Sequence, residues 1–99
     1  MTKPMAPVHP GEILKEEFMR PLGLSANGLA RAVRVPPNRI SAIVNGERGL
    51  TADTALRLAK AFGTTPEFWL NLQKQYELDC ARDEATDIAR IEPIRARAQ

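Results

Sequence analysis

Residues 25–45 read SANGLARAVRVPPNRISAIVN, and the fold turns on how this stretch divides. Ser25 has the chemistry of an N-cap, a side-chain oxygen placed to accept a free backbone N–H at a helix start. Behind it Ala26–Val33 reads as a short helix with Leu29, Ala30 and Val33 on one face. Gly28 costs that helix about 1 kcal/mol relative to alanine, which weakens it without breaking it. Pro36-Pro37 forces a break, because the residue before a proline is held out of the helical region. A second short helix follows from Asn38 to Asn45, with Ile40, Ile43 and Val44 as its apolar edge, and Asn45-Gly46 stops it. Two helices so joined need a small residue where they cross, which is Ala30, and an apolar plug in the turn, which is Val35. Ile40 and Ile43 then anchor the second helix and leave its opposite face free. That is the pattern of a helix-turn-helix.

Working outward, Pro10 and Glu12 suit a first helical turn. Ile13, Leu14, Phe18 and Met19 supply an apolar face there, and Pro21 and Gly23 are expected to close the helix. Thr51 caps a fourth helix whose Ala55, Leu58, Ala59 and Phe62 recur at helical spacing, ended by Gly63. Thr65-Pro66-Glu67 opens a fifth, carrying Phe68, Trp69, Leu72, Tyr76 and Cys80 toward the acidic stretch 83–87. Residues 88–99, IARIEPIRARAQ, read as a short strand or a frayed tail. The prediction is an all-α chain of five helices. Residues 1–10 form an extended arm, 11–80 the domain with its helix-turn-helix at about 25–45, and 81–99 a tail.

A free helix face between two polar loops is suited to a DNA major groove. On it the sequence places Pro37, Asn38, Ser41 and Ala42, with Arg39 and Asn45 beside them. Asparagine pairs bidentately with adenine and arginine with guanine or phosphate, while Pro37 and Ala42 offer apolar contact to a thymine methyl. Asn38 also fits a helix cap, and Arg39 also fits a surface ion pair. Arg48 falls where the following loop passes the sugar-phosphate backbone, and plain solvation fits it as well. Ser25 can meet a phosphate or only cap its helix. Residues 1–63 hold nine Lys/Arg against five Asp/Glu, net +4, whereas residues 64–99 hold five against seven, net −2. The basic front suits nucleic acid and the acidic rear suits a different partner, although both also fit ordinary solvated surface.

Other classes fall away. One cysteine, Cys80, cannot build a disulfide framework, and one histidine, His9, cannot build a metal site or a catalytic triad. The Glu16–Glu17 pair fits a solvated helix face, and no glycine-rich phosphate loop or nucleophile elbow occurs. No enzyme, cofactor or metal is expected. No apolar run approaches the roughly 20 residues that span a bilayer. Residues 1–10 lack the apolar core of a secretory signal, so a soluble cytoplasmic protein is predicted. The aromatic stripe Phe68, Trp69, Leu72 and Tyr76 fits core packing or a dimer interface, and the two can coexist.

The stretches HPGE, PPNRI, GLTADTALRLAK and PEFWLNLQ, taken as a set over roughly residues 8–80, resemble the HigA-type antitoxins. These are a branch of the phage-repressor (XRE/Cro-like) helix-turn-helix family. The resemblance implies a five-helix lambda-repressor-like DNA-binding domain, a homodimer, and double-stranded operator DNA in the promoter of its own operon. It also implies a partner toxin of the HigB (RelE-like) type that cleaves messenger RNA. A stand-alone repressor, or an interaction protein using the fold as a scaffold, are the other readings. Two positions depart from the wider family. Arg34 stands at the turn where glycine is usual, and a positive φ there costs arginine about 1–2 kcal/mol unless the turn is reshaped so that Arg34 faces phosphate. Ala26 stands near where many repressors carry a phosphate-binding glutamine.

Overall fold

The helix starts are set by side chains that accept the first free backbone N–H groups. His9 Nδ1 accepts from Gly11 N at 2.9 Å, Ser25 Oγ from Gly28 N at 2.9 Å, Thr65 Oγ1 from Phe68 N at 3.1 Å, and Thr51 Oγ1 from Thr54 N at 3.4 Å. In the computed structural model, which describes residues 6–94, these caps open four of five helices. Helix α1 covers residues 10–22, α2 Ala26–Val33, α3 Pro37–Val44, α4 Ala52–Phe62 and α5 Pro66–Glu84, followed by a single 3-10 turn at Ile88–Arg90. The described residues contain no strand, so the tail from 88 to 94 is a turn and an exposed extended segment. Residues 1–5 and 95–99, the ends of the predicted arm and tail, lie outside the described residues.

Helix α1 is not uniform. Between the α-helical pieces Pro10–Ile13 and Arg20–Leu22, residues Leu14–Met19 are π-helical, and Arg20 N–H bonds five residues back to the Lys15 carbonyl. Pro21 has no N–H to give, and its ring would crowd the carbonyl four residues back. The wider turn carries the chain past this obstacle, so Pro21 lies inside the last turn. Only Gly23, at φ 65°, ends the helix. The wide turn also aligns positions five apart. Leu14 and Met19 are therefore both buried in the core while the residues between them stay largely outside.

The core takes Leu14 and Met19 from α1, Leu29, Ala30 and Val33 from α2, and Ile40 and Ile43 from α3. Leu58 with Ala55 and Ala59 come from α4, and Trp69 from α5. Val35 plugs the turn between α2 and α3, as its spacing predicts. Trp69 is fully buried; its ring packs on Phe18 at 4.8 Å and Phe68 at 4.9 Å between centroids, and its Nε1 donates to Thr64 Oγ1 at 2.7 Å. Beyond Gln73 no residue of α5 is buried, although the helix runs past Cys80 to Glu84. The second half of α5 therefore projects from the core.

One contact fixes how α1 crosses α3. Gly11 is buried, and a Cβ built on it would overlap the Ile43 carbonyl oxygen and meet the Val44 Cα at 3.0 Å. Here backbone lies on backbone. A methyl group at position 11 must push the C-terminal end of α3 away, an overpacking cost of about 2 kcal/mol that outweighs alanine's better helix propensity. Gly11→Ala should lower unfolding stability by about 2 kcal/mol or more in urea titration. A variant as stable as the parent would show that α1 and α3 are not in backbone contact.

Candidate nucleic-acid interface

Ile40 and Ile43 are fully buried, so α3 is held from behind and its other side is committed outward. Asn38, Ser41, Ala42 and Asn45 follow one another at i, i+3, i+4 and i+7 and form one ridge along α3 and its C-cap. Asn38 and Asn45 are exposed, Ser41 and Ala42 half-buried, and Pro37 is exposed at the first helical position. The capping alternative for Asn38 does not apply, because the N-cap is Pro36 and the helix has no side-chain cap. The Ser41 hydroxyl donates to the Pro37 carbonyl at 3.1 Å and so faces any ligand as an acceptor. Ser25 is exposed but does cap α2, with its oxygen engaged on Gly28.

Arg39 takes the ion pair that was the alternative to a contact at base edges. Its Nη1 donates to Asp53 Oδ2 at 3.0 Å, its side chain is only 24% exposed, and its Nε is buried with no partner among the described residues. Asp53 also takes Arg57 Nε at 2.9 Å, and Arg57 Nη1 reaches the carbonyls of Val33 at 2.8 Å and Arg34 at 3.3 Å. The hydrogen bond from Arg57, with the charges of Arg57 and Arg39, holds the Asp53 carboxyl below its ordinary range. Arg39 is thus an internal strut of the motif, because an arginine half-sunk beside Ile40 needs a carboxylate at its head.

Arg34 has φ 64° and ψ 49°, the left-handed conformation, and is the sole non-glycine residue with positive φ among those described. The turn is not reshaped to spare it. The Val35 N–H bonds to the Ala30 carbonyl at 3.0 Å, closing the helix as a glycine would. Its side chain is exposed. Arg48 is exposed in the loop after α3, which folds back through Gly46 at φ 77°. A buried side-chain amide of α5 ties that loop down. The Leu50 N–H donates to Gln73 Oε1 at 2.7 Å, and the buried Gln73 passes its own Nε2 to Glu77 at 2.8 Å. His9 lies edge-on to Tyr76 at 4.8 Å between centroids. Burial lowers its pKa, and the Arg48 main chain partly offsets this, so the neutral ring that the Gly11 cap requires is favoured.

A helix-turn-helix family profile matches residues 14–69. Virulence-associated protein I of Dichelobacter nodosus is 50% identical over 91% of this chain and 83% of its own length; antitoxin HigA-1 of Vibrio cholerae is 43% identical over 89% and 84%. A HigA-family addiction-module antidote from Coxiella burnetii superposes with TM-score 0.85 at 53% identity, covering 91% of this chain and all of that one. The chain belongs to the HigA-type helix-turn-helix antitoxin family. Pseudomonas aeruginosa antitoxin HigA, solved with the higBA promoter, superposes with TM-score 0.83 at 41% identity over 90% of this chain and 99% of that one. The family is one of DNA-binding antitoxins and not of enzymes.

Within this HigA-type frame the predicted dimer residues divide. Trp69 is wholly internal to one chain, which is the core reading of the stripe and leaves it no surface for an interface. Phe68 is 36% exposed, while Leu72 and Tyr76 are half-buried. Among the described residues no helix is long and apolar enough to cross a membrane. Sequence reasoning missed Gly11, Asp53, Arg57 and Gln73. The Asp53–Arg57 spacing of four on a helix was a visible signal; the reach of Arg57 to α2 had none. Relief of the left-handed cost at position 34 is about 1–2 kcal/mol, partly offset by the extra freedom glycine gives the unfolded chain. Arg34→Gly should therefore raise stability by up to about 1 kcal/mol in urea titration. A loss of stability would mean that the arginine side chain holds the turn.

Proposed function

We propose that this chain is an autoregulatory antitoxin: a homodimer that binds operator duplex DNA in the promoter of its own operon and neutralises a HigB-type ribonuclease toxin. The observation that carries the DNA half is the outward ridge Asn38, Ser41, Ala42 and Asn45 on a helix locked from behind by Ile40 and Ile43. Its chemistry is that of a major-groove reader. Asn38 offers a donor and an acceptor to adenine, Ser41 an acceptor, and Pro37 and Ala42 apolar contact to thymine methyl groups. Arg48, Arg34 and the exposed N-terminus of α2 at Ser25 flank the ridge as phosphate contacts. Antitoxin GraA in complex with its operator, 43% identical with TM-score 0.85 over 97% of this chain and 99% of that one, supports the reading.

The dimer is assigned to the segment after Gly63. There the projecting half of α5 and its exposed Leu78, with Phe68, Leu72 and Tyr76 nearer the core, leave apolar surface that one small core does not cover. The toxin half rests on the family's antitoxins and on the net negative charge of residues 64–99, which suits a basic RNA-gripping partner.

Asn38→Ala should weaken binding to the operator by about 1–3 kcal/mol and hardly change binding to random duplex. Arg48→Ala should reduce the slope of log affinity against log salt by about one. Equal losses on both duplexes would remove Asn38 from base reading. Co-expression with the adjacent toxin gene should restore growth; continued arrest with soluble antitoxin present would remove the toxin half and leave a stand-alone repressor.

A further inference from the structure

We propose that Asp53 is a positioning residue for operator recognition, a single carboxylate that sets the two helices of the motif against each other. This rests on the operator-binding reading. One oxygen, Asp53 Oδ2, accepts from Arg39 on α3 at 3.0 Å and from Arg57 on α4 at 2.9 Å. Arg57 carries the chain of bonds on to the Val33 and Arg34 carbonyls, which are free acceptors at the C-terminal end of α2. The carbonyl end of α2 and the first turn of α3 are therefore tied to one point on α4. The Val35 plug and the Gly11 contact set how closely α3 packs, and this polar tie adds a directional restraint on its flank.

Rotation is what base reading is sensitive to. Arg39 immediately follows Asn38, and successive residues on a helix point about 100° apart. A guanidinium pinned on one flank fixes the direction of Asn38, Ser41 and Ala42 on the ridge. Among the described residues Arg39 has no other ion-pair partner. Its Nε is buried and unpartnered, and Asp53 supplies its ion pair. Without the carboxylate the guanidinium must leave its half-buried site, and α3 turns with it. Asp53 itself is more than half exposed, so the pair adds little to global stability. Its effect belongs to geometry.

The charge of Asp53 makes the test discriminating. The carboxylate lies 3.0 Å from an arginine of α3, so on the operator-binding reading its negative charge works against phosphate. Removing it should strengthen binding to any DNA on electrostatic grounds alone. A positioning role predicts the opposite for the operator only. The experiment compares the full chain with Asp53→Asn, Asp53→Glu and Arg39→Lys on its own promoter duplex and on a random duplex of equal length at one salt concentration. Circular dichroism melts confirm folding. In Asp53→Asn the ratio of operator to random affinity should fall about tenfold, with random-duplex affinity equal or higher and the melting midpoint nearly unchanged. Arg39→Lys, which keeps the charge but loses the planar fork, should lower the same ratio, and Asp53→Glu should restore most of it. A ratio unchanged in both Asp53→Asn and Arg39→Lys overturns the proposal, whether the two affinities rise or fall together. Should the parent chain itself fail to prefer its promoter duplex, the operator reading fails instead.

Discussion

The backbone of α1 rests on the backbone of α3 at Gly11, and most of the architecture is arranged to permit that contact. His9 caps the helix start without placing a side chain in the crossing, Pro10 sets the first turn, and Glu12 faces solvent. Having brought α1 so close, the chain must still deliver Leu14 and Met19 to the same core, and the π-helical stretch, with its extra residue per turn, aligns them. The α3 helix is thereby supported along its length. The Ala30 crossing and the Val35 plug hold its N-terminal side, and Gly11 its C-terminal side. The ridge from Asn38 to Asn45 can present a fixed surface because nothing behind it can shift by a methyl group.

Two kinds of force divide the remaining work, and their magnitudes differ. Full burial of Ile40 and Ile43 contributes about 1.5–3 kcal/mol each, which is enough to decide whether α3 docks. Exposed ion pairs such as Arg39–Asp53 and Arg57–Asp53 contribute far less, too little to decide docking, and act on orientation instead. The left-handed Arg34 works against folding, and the surrounding bonds hold it in place. The Val35–Ala30 closure and the Arg57 contacts fix the turn whichever residue stands there. Stability and aim are thus assigned to different residues.

Local chemistry was legible in the sequence wherever a short segment decides its own conformation. Ser25, Thr51 and Thr65 start helices, Gly23 and Gly63 end them, and the Ala30, Val35, Ile40 and Ile43 spacing is the observed core of the motif. Pro21 misled because a proline usually breaks a helix, and a π-turn that absorbs it leaves no sign in the sequence. Trp69 could not be assigned to core or surface from periodicity, since α5 buries only its first half. The ion pair of Arg39 was one of two readings, and its partner was not legible because it lies 14 residues away on another helix. Gln73 drew no notice in the sequence, because the backbone donor that buries it comes from a loop 23 residues away. These readings depend on tertiary neighbours, about which spacing within one helix says nothing.

The central claim is that α3, backed by Gly11 and the isoleucines, is the element that meets DNA. Backbone amide mapping by NMR tests it directly, with the isotope-labelled chain titrated by a duplex from its own promoter at moderate salt. The largest shifts should fall on residues 38–45, with a second group at Arg48 and at the N-terminus of α2, and α5 should change little beyond uniform broadening. Shifts concentrated on residues 66–94, with α3 unmoved, would contradict the account and leave the helix-turn-helix as a scaffold for a different interaction.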